Sequence, residues 1–119
     1  MTHILKATEI PSAGNKPKII KEFIGKINSN TDEVSIAHMK SPSGWIEPPQ
    51  TPEFNEYTIV LKGAIHIRKE GNEEIVRTNE AFIAKKGVEI QYSTPDPGGA
   101  EYIAVCVPAF MIDKVHRKE

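Results

Sequence analysis

Short apolar runs, broken every few residues by glycine, proline or asparagine, set the pattern of this chain, and no sustained helical stripe appears. The strongest strand pattern covers residues 56–61, Glu-Tyr-Thr-Ile-Val-Leu, where β-branched, aromatic and apolar side chains dominate; Gly63 follows where a closing strand needs a turn. Further strands are predicted over residues 33–39, 64–69, 73–77, 81–85, 88–93 and 101–107. Glu70-Gly71-Asn72 supplies the unusual dihedrals of a tight hairpin between two of them. Residues 44–52 read as a loop, because Pro48, Pro49 and Pro52 lack backbone donors and push their predecessors into extended conformations. Ahead of the strands, Ile19, Ile20, Phe23 and Ile24 are spaced for one or two turns of helix. Residues 1–18, with Pro11, Gly14 and Pro17, read as an arm that orders by packing Ile4, Leu5 and Ile10 on a partner. The reading is an all-β sandwich or barrel over residues 33–119, preceded by an arm with a short helix over residues 1–32, and closed by a tail whose Phe110, Met111, Ile112 and Val115 lie over the sheet.

Composition narrows the function classes. A chain of 119 residues with 39% hydrophobic content supports one core and one domain. Fifteen basic against 16 acidic residues leave no excess to hold a phosphate backbone, which argues against nucleic acid as a partner. The N-terminal Met-Thr-His-Ile-Leu-Lys has no apolar run of signal-peptide length, and no later segment approaches a membrane span. The single cysteine, Cys106, lies in an apolar run and has no second cysteine to pair with, so it reads as a small buried hydrophobe in a reduced, cytoplasmic setting.

The first place to look for chemistry is Glu56, a carboxylate at the start of a buried strand, because such a group must be paired, protonated or bound to a metal. Strand alternation puts Glu56, Thr58 and Val60 on one face, and Ile90, Tyr92 and Thr94 on one face of a later strand.

The spacing around Glu56 resembles the first motif of the cupins. That motif is a glycine, five residues, two histidines separated by one residue, three or four residues, a glutamate, six residues and a glycine. Here the frame falls on Gly44, Gln50, Pro52, Glu56 and Gly63. The frame of the second cupin motif falls on Asn79, Lys85, Gly87, Ile90 and Thr94, of which Gly87 alone has the family identity. The stretch from about residue 33 onward is similar to small single-domain bacterial cupins, notably in Thr51-Pro-Glu-Phe-Asn-Glu-Tyr, Tyr92-Ser-Thr-Pro and Val107-Pro-Ala-Phe. The resemblance implies a jelly-roll β-barrel, usually dimeric, with its site inside the barrel mouth. It implies a small-molecule ligand without specifying a reaction, because cupins include dioxygenases, isomerases, epimerases, decarboxylases and binding proteins.

Cupin enzymes typically hold a divalent metal with three histidines and the glutamate, and this chain has Gln50, Pro52 and Ile90 at the three histidine positions. A remnant of Gln50 and Glu56 would need waters or other residues to complete a metal shell, with His38 and His66 as replacements if both point inward. Without a metal, Glu56 reads as a general base or as a satisfied acid at the barrel rim. Tyr92 either donates a proton to or orients a substrate oxygen, or fills the barrel, and Gln50 positions substrate. Trp45 forms an aromatic wall over a ligand or packs at a subunit contact; Lys85, beside Lys86, attracts an anionic substrate or is exposed in a turn. Glu47 and Glu53 read as solvated loop acids that reach the site only if their loop folds inward. The expectation is a cupin homodimer binding a small polar molecule, either an isomerase, dioxygenase or lyase centred on Glu56, or a non-catalytic binding or scaffolding protein that has lost its metal site.

Overall fold

The computed structural model describes residues 1–118. Nine strands follow one another: β1 (Thr8–Glu9), β2 (Ile19–Ile24), β3 (Ser35–Ser41), β4 (Trp45–Ile46), β5 (Asn55–Lys69), β6 (Asn72–Arg77), β7 (Ala81–Ala84), β8 (Gln91–Thr94) and β9 (Ala100–Val107), with one 3-10 turn at Ile112–Lys114. Every pairing among them is antiparallel. The long strand β5 joins two curled layers. Its first half lies between β7 and β9, and β9 leads on to β3, β2 and β1; its second half lies between β6 and β8, and β8 leads on to β4. The all-β expectation holds.

Gly63 does something other than turn the chain. It sits inside β5 at φ +75°, beside a register shift between Val60 and Lys62, so the strand bends there and passes from one layer to the other. A Cβ at Gly63 would lie 2.0 Å from the carbonyl oxygen of Gly99, which explains why a residue without a side chain stands at the bend. The Glu70-Gly71 turn is as expected: both residues have positive φ, and Lys69 pairs with Asn72 across it.

Residues 19–24 are a strand, and the helix expected there does not form. Ile19, Ile20, Lys21 and Glu22 pair with Lys40, Met39, His38 and Ala37 of β3, and the pairing energy of an open sheet edge outweighs a helical spacing too short to nucleate alone. The arm that precedes it is tied to its own chain. Thr8 and Glu9 pair with β2, the Asn15 amide donates to Ile46, and the indole of Trp45 donates to the Ala13 carbonyl at 3.0 Å.

The main core gathers Val60, Ile65, Ile67, Ile90, Tyr92 and Tyr102 with Trp45, which is only 1% exposed. A smaller cluster of Phe54, Cys106 and Val115, with Phe110 against it, seats the C-terminal tail on the sheet as expected. Between them the inward faces of β3, β5, β8 and β9 leave a cavity of about 70 Å³.

Candidate functional site

Alternation along each strand decides what the cavity contains. On β5, Glu56 and Thr58 turn inward while Tyr57, Ile59 and Leu61 face out; on β8, Tyr92 and Thr94 turn inward; on β9, Tyr102, Ala104 and Cys106 do. Glu56, Tyr92 and Gln50 therefore line one cavity. The Tyr92 hydroxyl donates to Glu56 Oε1 at 2.6 Å, and the Cys106 thiol donates to Glu56 Oε2 at 3.7 Å. Burial, reinforced by the Glu56 charge, pushes the Tyr92 phenol and the Cys106 thiol well above their ordinary ranges. Both stay protonated at neutral pH and act as donors to the carboxylate.

A second carboxyl group shares this cavity. Glu47 belongs to the proline-rich loop, but its amide donates to the Tyr92 carbonyl and its own carbonyl accepts from the Gln91 side chain, so the loop is drawn inward and the side chain is only 5% exposed. Burial, with Glu56 adding to it, raises the Glu47 pKa to about 7 against the opposing pull of Lys18 and Arg117. Lys18 enters from the arm, with its ammonium 3.2 Å from the Tyr102 hydroxyl and 4.2 Å from the centre of the Trp45 ring. Arg117 enters from the tail, whose backbone bridges to Gln50. Glu22, on β2, also lines the cavity but is occupied by the amides of Ile27 and Asn28.

Other expected residues lie elsewhere. His38 faces out from β3 and pairs with Glu101 at 2.7 Å. His66 faces out from β5 between Asp96 and Glu73, and these two carboxylates raise its pKa in spite of the opposing effect of burial. Lys85 borders a separate outer groove with Glu70 and Glu74. Trp45 is buried behind the arm, where it holds Lys18 and Ala13, both of which line the cavity. Glu53 is exposed and pairs with His116, which lowers its pKa.

The divalent metal implied by the resemblance does not fit these residues. Of the three histidine positions, Ile90 and Pro52 carry no side-chain ligand atom, and Gln50 offers only a neutral amide oxygen beside Glu56. Neither outward histidine replaces them, and the described residues contain no group of three or more His, Cys, Asp or Glu arranged to hold an ion. The cavity instead gathers three carboxyl groups, Glu22, Glu47 and Glu56, two cations, Lys18 and Arg117, and two phenols, Tyr92 and Tyr102. Lys18 and Arg117 escape sequence reasoning, and Glu47 is read mainly as a solvated acid, because each is carried inward by a loop, the arm or the tail, with no alternation pattern to reveal it.

No family model matches the chain. Among curated proteins it is 39% identical over 99 residues to the endoribonuclease YbeY of Myxococcus xanthus, an alignment covering 83% of this chain and 34% of that protein. It is 32% identical over 56 residues to the acetate kinase EutQ of Salmonella typhimurium, covering 47% of this chain and 24% of that protein. The chain thus spans about a third of the first relative and a quarter of the second. Among solved structures it superposes on the ethanolamine utilization protein EutQ of Salmonella typhimurium with a TM-score of 0.68 at 16% identity, covering 88% of this chain and 98% of that one. It superposes on the polyketide cyclase RemF of Streptomyces resistomycificus with a TM-score of 0.74 at 20% identity, covering 100% and 84%. Likeness at these identities is one of fold.

Proposed function

We propose that this chain, which has the cupin fold, binds a small polar molecule inside its barrel and moves a proton on it by paired carboxyl chemistry centred on Glu56. The observation that carries this reading is the meeting of Glu56 and Glu47 in one cavity under opposite constraints. Glu56 accepts from Tyr92 and Cys106, the pattern of a held carboxylate, whereas Glu47 is buried and about half protonated near pH 7. Two carboxyl groups whose environments differ in this way supply a base and an acid together. Glu56 takes a proton from an activated carbon of the ligand and Glu47 returns one, either to another carbon, which isomerises the ligand, or to a hydroxyl that leaves as water as its C–O bond breaks, which is an elimination; neither changes the redox state, and proton exchange with solvent resets the two carboxyl groups. A cavity of about 70 Å³ limits the ligand to a small molecule. The lone buried thiol supports a reduced, cytoplasmic setting, and among the described residues no helix is long and apolar enough to cross a membrane.

Deuterium exchange tests this without a known substrate. Small carbonyl compounds such as hydroxyacetone and pyruvate are incubated with the protein in D2O and followed by proton NMR. Exchange at carbon is expected for at least one compound, falling about a hundredfold for Glu56→Gln. Exchange that survives this substitution removes Glu56 from the mechanism, and a protein that binds members of the panel without exchanging any is the binding module that Pro52 and Ile90 favour by putting apolar atoms where ligands would stand.

We also propose a homodimer, through a surface other than the arm, since the arm packs on its own chain. Ile83, Tyr57, Val105 and Ile36 stand side by side across β7, β5, β9 and β3, with Ile59 and Ile103 adjacent. Ile83, Ile59 and Tyr57 are 64%, 46% and 40% exposed, and an uncharged apolar stripe of this kind is complementary to a second copy of itself. Light scattering is expected to give a dimer for the native chain and a monomer for Ile59→Glu. A native monomer at micromolar concentration would count against it.

A further inference from the structure

Two buried polar atoms on residues that line this cavity have no hydrogen-bond partner among the described residues: Glu47 Oε1 and Arg117 Nε. They belong to segments far apart in sequence, the proline loop and the C-terminal tail, which meet through the backbone bridges of Gln50. A desolvated guanidinium nitrogen without an acceptor is costly, and a carboxyl oxygen without a partner adds to the cost. A ligand that satisfies both at once recovers it.

Building on the reading that the cavity takes a small polar molecule, we propose that this molecule is a small monocarboxylate, one of its oxygens accepting from Arg117 Nε–H and the other from the carboxyl O–H of Glu47. Arg117 Nε only donates, so the group that meets it must offer an acceptor. With Glu47 neutral, the unpartnered Nε of Arg117 meets no charge from that side chain, and a ligand anion supplies one in direct contact. Lys18, the second cation on the wall, adds to the attraction. Anchored in this way, the rest of the ligand extends toward Glu56 and Tyr92. A carboxamide offers the reverse match, its oxygen to Arg117 and its N–H to an ionised Glu47, which makes it a control with the opposite pH dependence.

The charged and titratable groups that line the cavity with Glu47 are Lys18, Glu22, Glu56, Tyr92, Tyr102, Cys106 and Arg117, and no histidine lines it. Anion affinity is therefore expected to follow Glu47, falling about tenfold between pH 6 and pH 8 for a carboxyl group that titrates near 7. Calorimetric titration of the whole chain with lactate and with lactamide, nearly equal in size, reads this directly on the native protein. Lactate is expected to bind at pH 6 and weaken about tenfold by pH 8, while lactamide binds more weakly at pH 6 and gains with pH. Arg117→Met is expected to weaken lactate at least about tenfold at pH 6. Lactamide matching lactate at pH 6, lactate affinity flat in pH, no binding of lactate, or indifference to Arg117→Met in a variant with native circular dichroism would each overturn the proposal. The test is separable from the acid–base reading. Glu56→Gln leaves the carboxylate anchor intact, so lactate binding without any exchange chemistry fails that reading alone, and exchange on hydroxyacetone without lactate binding fails this one alone.

Discussion

Gly63→Ala is expected to destabilise the protein by about 4 kcal/mol, a fall of roughly 15 °C in Tm for a domain of this size. Two costs combine. The residue sits at φ +75°, where an L side chain is strained by about 1–2 kcal/mol, and its new methyl would lie 2.0 Å from the Gly99 carbonyl oxygen and 3.0 Å from the Gly99 carbonyl carbon. That neighbour is backbone and has little room to retreat, because a Cβ at Gly99 would itself lie 2.0 Å from the Ser41 carbonyl oxygen. Three chain segments are stacked through two glycines at the place where β5 changes layer. Gly71→Ala supplies the comparison. Gly71 has φ +80° but nothing within 4 Å of its Cβ position, so only the conformational cost applies, about 1 kcal/mol. Thermal unfolding followed by circular dichroism measures both, and equal losses in the two variants would show that the packing at Gly63 relaxes freely.

Glu47→Gln is expected to change the pH dependence of stability by about 3 kcal/mol between pH 4 and pH 8. The Glu47 carboxyl titrates near 4.5 when unfolded and near 7 in the folded protein, because burial disfavours its charge. Between these values the folded state binds more protons than the unfolded state, so stability falls as pH rises. The penalty is absent below about pH 4 and complete above about pH 7. Replacing the carboxyl with an amide removes the titration, and any constant cost of burying the amide cancels when the variant is compared with itself at two pH values. Urea unfolding at pH 4 and pH 8 reads the difference. A native protein whose stability changes with pH as the variant's does would mean that Glu47 is ionised in the folded state at little cost, and both the acid role of Glu47 and its hydrogen bond to an anion would fail with it.

The sequence exposes those parts of the site that obey a strand's two-residue period. Glu56, Thr58 and Val60 share a face in both the pattern and the structure, as do Ile90, Tyr92 and Thr94. The Glu70-Gly71 hairpin was legible for a local reason, the positive φ that its residues tolerate. What the pattern could not supply was long-range register. His38 points outward because Ile103 of β9 stands opposite it, a pairing across 65 positions that no local feature of β3 encodes. Residues 19–24 look helical in isolation and become a strand only because β3 offers an edge. Glu47 looked like a solvated loop acid, as most glutamates between prolines are, and is buried because its backbone is stitched to β8. Gly63 marked an irregularity correctly, but whether a glycine turns a chain or bends a continuous strand depends on what crosses it, here the carbonyl of Gly99.

The cavity takes parts of its wall from both chain ends: Ala13 and Lys18 from one, Arg117 from the other. The arm is held there by β1, by the Trp45 indole on Ala13 and by Asn15 on Ile46, and the tail by Lys118 on Pro49, Thr51 on His116 and the bridge of Arg117 to Gln50. Both segments lie outside the continuous strands of the barrel and open locally more readily than those strands do. A ligand gripped by Lys18 and Arg117 is then bound at full strength only by molecules with both ends seated, and its apparent dissociation constant is the intrinsic one divided by the fraction of the population in that state. Anything that tugs on either end, including a purification tag or a fused partner, retunes affinity without touching a single residue of the barrel.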